Sequence, residues 1–280
     1  MKTAFLIVNY NDAETTIELL ENIRNFKALD LIVVIDNAST NDSYLVLKKK
    51  FENKKIHILE AKSNNGYAAG INYGSKYIID LLGNCNIIVS NPDIVIYKEE
   101  DILNMISKKA DDIGIIAPII KEHTGLNRGW RIPTPLQDAI LNIVYFHRFL
   151  RPILLFYKED HYNLPLAEVE AVSGCFFLIE SKCLQQVNYF DENVFLYYEE
   201  NIIGKKMQTL NKKVVIDTET EVFHNHSVTI DKTINHKNKY KELKKSQYYF
   251  QTVYNNANFL EKLLLKLTDF ASYFVISILK

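Results

Sequence analysis

Cysteine is scarce, and its scarcity closes off several chemistries. The 280 residues contain three cysteines, Cys85, Cys175 and Cys183, without the paired spacing of a zinc site. Cys85 and Cys175 sit in apolar surroundings and read as buried free thiols, which suits a reducing cytoplasm. Long apolar runs are missing as well: no stretch reaches the 18 or so uncharged residues that a bilayer span needs. The run Ala4–Tyr10 is too short for a secretory signal and has no small-residue cleavage site, so it reads as a first buried strand. Neither sign of charge prevails. With 33 basic and 34 acidic residues the net charge is −1, and no global field draws the chain to nucleic acid. Nor does a glycine-rich, basic phosphate loop follow the first strand. Asn9-Tyr10-Asn11-Asp12 stands there without a cation, which argues against a nucleotidyltransferase.

What is present is a regular alternation. Apolar residues make up 48% of the chain, enough to fill a core at the upper size of one domain. Short β-branched runs at Thr3–Asn9, Leu31–Asp36, Lys55–Glu60, Asn86–Ser90 and Ile113–Ile119 predict strands. Helical patterns at Asp12–Asn25, Asp42–Phe51, Ala68–Leu81 and Glu99–Ala110 lie between them. Continuous apolar strands separated by helices predict an α/β fold, an open, doubly wound and mostly parallel sheet, with ligands at the carboxyl ends of the strands. The rhythm breaks over residues 121–168, an irregular stretch with several aromatics and prolines. Patterning returns at Val169–Glu180 and Lys213–Phe223. These shifts divide the chain into 1–230, with halves 1–120 and 121–230, and a tail, 231–280. The tail holds a lysine cluster at Lys232–Lys245, and Phe259–Leu279 carries apolar residues at helical spacing.

Each early strand ends in polar residues: Val8-Asn9-Tyr10-Asn11, Asp36-Asn37-Ala38-Ser39-Thr40, Asn64-Asn65-Gly66-Tyr67 and Ser90-Asn91-Pro92-Asp93. Asp36 can accept a hydrogen bond from a pyrimidine N–H, or it can simply close an Asx turn. Gly66, Gly70 and Gly74 recur every four residues, which packs a smooth helix face closely. Gly66, at a helix start, is also placed to turn free N–H groups toward phosphate. Asp93 at a strand end suits a hard divalent cation, or it belongs to a proline-led turn.

Together these four segments, with Ala68-Ala69-Gly70-Ile71-Asn72 continuing the third, resemble the family 2 glycosyltransferases, nearest the rhamnosyltransferase-like branch, from about Thr3 to about Ser246. The resemblance implies a GT-A fold with 1–120 binding the nucleotide sugar and 121–230 holding the acceptor and the chemistry. It implies an inverting transfer of a sugar, rhamnose being the leading candidate, from a nucleoside-diphosphate donor to a glycan or lipid-linked acceptor in cell-wall, capsule or O-antigen synthesis. Donor contacts fall on Val8, Asn9, Tyr10, Asp36, Asn65, Gly66, Asn72 and Asn91. Asp93 would hold Mg²⁺ or Mn²⁺, with Asn-Pro-Asp standing in for the Asp-x-Asp of many such enzymes. Arg131 resembles the arginine of an Arg-aromatic-Pro loop. Gly174 and Cys175 resemble the strand under the acceptor.

Phe195-Leu196-Tyr197-Tyr198-Glu199-Glu200 resembles the loop that delivers the base. Inversion requires one carboxylate to take the acceptor's proton, and Glu200, helped by Glu199, is that candidate. The family has an Asp where this chain has Ile202, which keeps open a non-catalytic nucleotide-sugar-binding or scaffold protein of the same fold. His224, with Ser227, matches a family His-x-x-Ser spacing and is a second metal candidate. The basic and apolar tail predicts peripheral contact with the inner face of the cell membrane, or a homodimer through the C-terminal helices.

Overall fold

The computed structural model describes residues 1–225 and 236–278. Strands β1 (Lys2–Asn9), β2 (Leu31–Asp36), β3 (Ile56–Glu60) and β4 (Cys85–Ser90) pair in parallel in the order β3-β2-β1-β4. Helices α1 (Ala13–Ile23), α2 (Ser43–Phe51) and α3 (Tyr67–Leu82) connect them. Side chains alternate across a strand, so β1 feeds two cores. Leu6 and Val8 meet Ile71 and Ile78 of α3 on one face, while Phe5 and Ile7 meet Leu19 and Leu20 of α1 on the other. Both faces are covered, as the unbroken apolar runs predict.

Beyond β4 the sheet becomes mixed. A two-residue strand β5 (Ile94–Val95) follows Asp93, and α4 (Glu99–Ser107) leads to β6 (Ile113–Glu122), with a short β7 (Gly125–Asn127) on its edge. After β8 (Leu166–Val169), strand β9 (Phe176–Glu180) inserts antiparallel between β4 and β6. The last strand, β10 (Lys213–His224), lies parallel to β6. Because β9 runs backwards, its start, Phe176, pairs with Ser90 at the end of β4. Residues 173–175 therefore stand at the same sheet edge as Asn9, Asp36, Asp93 and His224.

The stretch 121–168 is more ordered than its composition suggests. It folds into α5 (Pro135–Leu141), α6 (Val144–Leu155) and a 3-10 turn at Glu159–Asn163. Helix α5 opens with a full capping box, Thr134 and Gln137 each satisfying the other's backbone. Helices α7 (Ser181–Gln186) and α8 (Glu199–Thr209) flank the second half.

The C-terminal segment does not behave as an appended tail. Helix α9 (His236–Val253) buries Phe250 completely in a third cluster with Ile132, Ala171, Val194 and Ile202. Helix α10 (Phe259–Ile278) lies on α5, with Leu265 and Ser272 buried and the Ser272 hydroxyl donating to the Asn142 carbonyl. A boundary at residue 230 would cut through this packing, so 236–278 belong to the folded unit. Ser227 and Lys232 lie outside the described residues.

Candidate active site

At the end of β2 the Asp36 carboxylate is fully buried and fully used. Oδ2 accepts from Asn9 Nδ2 and Ser39 Oγ, both at 2.8 Å, and Oδ1 accepts from the Ser39 N–H at 2.8 Å. Asn9 in turn accepts from Thr16 Oγ1 at 2.9 Å. These bonds shape the loop bearing Ser39 and Thr40, so here the Asx-turn reading of Asp36 describes the geometry. Val8 points into the core against Gly70, while Tyr10 and Asn65 remain at the surface of this edge.

Gly66 is required by its surroundings. Its φ is +98°, and a Cβ there would meet the Phe195 carbonyl oxygen at 2.2 Å. That carbonyl accepts from Tyr67 N–H at 3.1 Å, and Gly66 N–H donates to Asn64 Oδ1 at 3.1 Å. The start of α3 is thus closed by the 190s loop rather than presented to phosphate, which corrects the phosphate reading. Asn72 also serves that loop: its amide donates to the Phe190 carbonyl at 2.9 Å and accepts from Phe190 N–H at 2.9 Å. It is buried and pins the loop. Gly70 and Gly74 pack against Val8 and Leu6, as their spacing suggests.

At the ends of β4 and β10, Asp93 Oδ1 lies 3.1 Å from His224 Nε2, with Glu122 Oε1 3.6 Å from His224 Nδ1. Burial disfavours the charge on His224, but hydrogen bonds to Asp93, Cys175 and Glu122 override it and push the imidazole up to about 12. As the chain stands, His224 is a cation seated between two carboxylates. No cluster of three or more His, Cys, Asp or Glu able to hold a metal occurs among the described residues. Asp93 and His224 still offer an oxygen and a nitrogen side by side at the cleft. That pair fits an ion that takes its remaining ligands from substrate phosphates, as Mg²⁺ does in many sites.

The 190s loop ends in two successive left-handed tyrosines, Tyr197 (φ +71°) and Tyr198 (φ +69°), a strained pair that the surroundings must hold. Three contacts do so. The Tyr198 hydroxyl donates to Asp138 Oδ2 at 2.8 Å, Gln247 Nε2 donates to that hydroxyl at 3.0 Å, and Ser246 Oγ donates to the Leu196 carbonyl at 2.8 Å. Trp130 Nε1, from the 121–168 stretch, donates to Asn201 Oδ1 at 2.8 Å.

The turn so fixed starts α8 with Glu199 and Glu200, which share a small pocket, while Glu200 also reaches an open cleft. Glu199 is turned inward to a small pocket lined by Tyr67, Ile115, Phe177 and Phe190, and its Oε2 has no hydrogen-bond partner among the described residues. Burial, then the neighbouring Glu200, hold its acidity well above the usual carboxylate range, so Glu199 stays protonated. Glu200 accepts from the Gly174 N–H at 3.3 Å and lines an open cleft of about 520 Å³. Burial raises it too, while backbone N–H bonds from its own residue and from Gly174 pull it back. Glu200 is therefore the member of the pair that ionises first.

Residues 174 and 175 link the two carboxylate centres. Gly174 touches Glu200, whereas Cys175 reaches His224 with its side chain and accepts from Asn91 N–H at 2.8 Å with its carbonyl. Adjacent Cα atoms are about 3.8 Å apart, so neighbouring residues of one segment contact the Glu200 centre and the Asp93–His224 centre. Cys175 thus stands beside His224 on the Asp93 side. Tyr67 stands between both, donating to the Gly174 carbonyl at 2.9 Å. Burial, then Cys175, Glu199, Glu200 and Asp93, raise its phenol well above the ordinary value. Tyr67 was not among the sequence candidates, although it sits within the Asn-Asn-Gly-Tyr segment. Arg131 falls elsewhere: its guanidinium donates to the Phe156 carbonyl at 2.7 Å and stacks 4.0 Å from the Tyr157 ring centroid. Arg128 is likewise paired with Glu159. Both fasten the 121–168 stretch.

Ile202, in the place of the family's second Asp, is buried against Phe250 in the third cluster. Apolar packing there stands where the resemblance implies a carboxylate.

A sequence model described as glycosyl transferase family 2 matches residues 4–187. Among curated proteins, the chain is 29% identical over 198 residues to the low-salt glycan biosynthesis hexosyltransferase Agl10 of Haloferax volcanii, covering 70% of this chain and 58% of that protein. It is 21% identical over 203 residues to an N-acetylglucosaminyl-diphospho-decaprenol L-rhamnosyltransferase of Mycobacterium tuberculosis, covering 69% and 66%. The mannosyltransferase PcManGT of Pyrobaculum calidifontis, solved with GDP-Man and Mn²⁺, superposes with a TM-score of 0.60 at 12% identity, covering 96% of this chain and 69% of that one. The match to PcManGT shows the shared fold. The chain spans less than two thirds of the length of either curated relative.

Proposed function

The chain belongs to glycosyl transferase family 2, and we propose that it transfers a sugar with inversion from a nucleoside-diphosphate donor to a hydroxyl of a glycan or lipid-linked acceptor. The observation that carries this reading is the Gly174–Cys175 pair, whose adjacent residues contact Glu200 on one hand and His224, the partner of Asp93, on the other. Ionised Glu200 takes the proton of the acceptor hydroxyl as its oxygen attacks the anomeric carbon. The bond from that carbon to the diphosphate breaks, and the nucleoside diphosphate departs. A divalent ion, Mg²⁺ or Mn²⁺, held by Asp93 and His224, would neutralise charge on the leaving diphosphate. It would take the place of the His224 charge beside Asp93 and free an imidazole nitrogen. Glu199 stays neutral behind Glu200 and adds no repulsion to the base.

Rhamnose is the donor sugar we favour, supported by the strand-end segments and by the name of the mycobacterial relative. Synthesis of a cell-wall, capsule or O-antigen polysaccharide is the matching setting. A screen of nucleoside-diphosphate sugars, read by nucleoside diphosphate release with Mg²⁺, Mn²⁺ or EDTA, tests both donor and metal. Glu200→Gln should lose about 10²–10⁴-fold in turnover while donor binding persists. Donor binding without turnover in the native chain would favour a nucleotide-sugar-binding scaffold instead.

Peripheral association with the inner face of the membrane is the second part of the proposal. No helix among the described residues is long and apolar enough to cross a bilayer. Helix α10, however, leaves Leu260, Leu267 and Phe270 exposed beside Lys262 and Lys266, and α6 leaves Phe149 and Ile153 exposed beside Arg148. Apolar side chains interleaved with cations suit an anionic lipid surface. Sedimentation with phosphatidylglycerol vesicles should carry the protein down, and phosphatidylcholine vesicles should not. Concentration-dependent dimers with no vesicle binding would assign the same helices to a homodimer.

A further inference from the structure

Glu200 is held by a short chain of contacts that begins at Tyr67. Gly174 N–H donates to Glu200 Oε1 at 3.3 Å, and the Gly174 carbonyl accepts from the Tyr67 hydroxyl at 2.9 Å. The carboxylate lies close to this backbone: a Cβ on Gly174 would stand 3.1 Å from Glu200 Oε1 and 3.3 Å from its Cγ. Tyr67 holds the other side as well, since its N–H donates to the Phe195 carbonyl at 3.1 Å in the loop that leads to Glu200. One residue at the start of α3 therefore ties the segment before β9 to the loop before α8.

The footing of that residue is itself fastened. Asn37 Nδ2 donates to the Gly66 carbonyl and to Asn64 Oδ1, both at 3.1 Å, and Gly66 N–H donates to the same Oδ1 at 3.1 Å. Tyr67 also lines the small pocket that both glutamates share.

We infer that Tyr67 is a positioning residue for the base: its hydroxyl fixes Gly174, and Gly174 sets where the Glu200 carboxylate lies. This deepens the transferase reading and rests on Glu200 as its base. Without the hydroxyl, Gly174 N–H is free to drift from Glu200, and a carboxylate that loses a donated hydrogen bond keeps its proton to higher pH. Glu199 faces Glu200 from its own helix. Across the cleft stand Asp138 of α5, His147 and Arg151 of α6, Tyr240 and Lys244 of α9, and Tyr197 and Tyr198 of the turn. Among the described residues none of these hydrogen-bonds to the Tyr67 hydroxyl, so removing it leaves their own bonds in place.

Tyr67→Phe keeps the ring and deletes only the hydroxyl. Its kcat should fall about 10- to 100-fold with the donor KM within about twofold of native. The rise of kcat/KM with pH should move up by about half a unit or more. Tyr73→Phe, an exposed phenol on the same helix, should match the native chain. In a Glu200→Gln background the Tyr67→Phe loss should vanish, because the residue acts through that carboxylate. NMR on chains carrying isotope-labelled glutamate gives a readout without turnover. The carboxyl signal that Glu200→Gln deletes should titrate at higher pH in Tyr67→Phe, and also in Gly174→Ala, whose methyl crowds the same carboxylate. A signal unmoved in both variants would overturn the proposal, as would an undiminished Tyr67→Phe loss in the Glu200→Gln background. Glu200→Gln at native turnover would end the base reading, whereas an inert Glu200→Gln beside an unaltered Tyr67→Phe would end this one alone.

Discussion

The Tyr198 hydroxyl donates to Asp138 Oδ2 at 2.8 Å, fastening the strained turn that delivers Glu200 to a helix 60 residues earlier in the chain. The carboxylate is buried and also accepts from Gln251 at 2.6 Å, so α5, the turn and α9 meet at one side chain.

Burial raises Asp138 to about 6, with the bonds from Gln251 and Tyr198 opposing it. In the unfolded chain an Asp titrates near 3.9, so between roughly pH 4 and pH 6 the folded state holds the extra proton. Stability should therefore fall as pH rises through that window, by about 3 kcal/mol from this group. Urea unfolding at several pH values should show that decline in the native chain. Asp138→Asn should remove this component of the slope.

Glu199 and Glu200 are adjacent and should respond unequally. Glu199→Gln imitates a side chain that is already protonated and should cost less than about tenfold in turnover, whereas Glu200→Gln should cost about 10²–10⁴-fold. Because burial raises Glu200, kcat/KM should climb with pH across its raised value and then level off. Equal losses in the two variants would remove the distinction between them.

Gly66→Ala should harm stability and turnover together. The new methyl would collide with the Phe195 carbonyl, and φ of +98° strains any side chain, at a cost of about 1–3 kcal/mol. The displaced loop is the one that leads to Glu200. Denaturant midpoints and donor turnover should both drop, while Gly83→Ala, where nothing lies within 4 Å of an added Cβ, should affect stability alone.

Ile202→Asp, which restores the residue type of the family pattern, should damage this protein. The carboxylate would enter the cluster around Phe250 with no partner, a change of the kind that costs several kcal/mol. A lower thermal midpoint without a gain in turnover is the expected result.

The four parallel strands were legible because Leu31–Ile35 and Ile87–Val89 are unbroken apolar runs, as a sheet covered on both sides allows. Strand direction was not. Phe176–Ile179 is equally apolar, and nothing in four such residues says that it runs against its neighbours. The order of the 121–168 stretch was hidden because its helices are short, although Thr134-Pro135-Leu136-Gln137 carries a capping box. The roles of Asn72, Arg131 and Cys175 depended on long-range partners, Phe190, Phe156 and His224, that local spacing does not reveal. Helix α9 looked like a basic tail because its lysines dominate the composition, while the informative residues, Gln247, Phe250 and Gln251, form a narrow buried face.

That buried face also orders events in time. Residues 190–200 leave the ribosome well before the helix that braces them, so the turn before Glu200 is not braced until synthesis has passed Phe250. A polypeptide halted near residue 225 would assemble its parallel half around the nucleotide edge, yet Tyr197 and Tyr198 could relax out of their left-handed shape. Nascent chains would thus hold this turn loosely until the final helices dock.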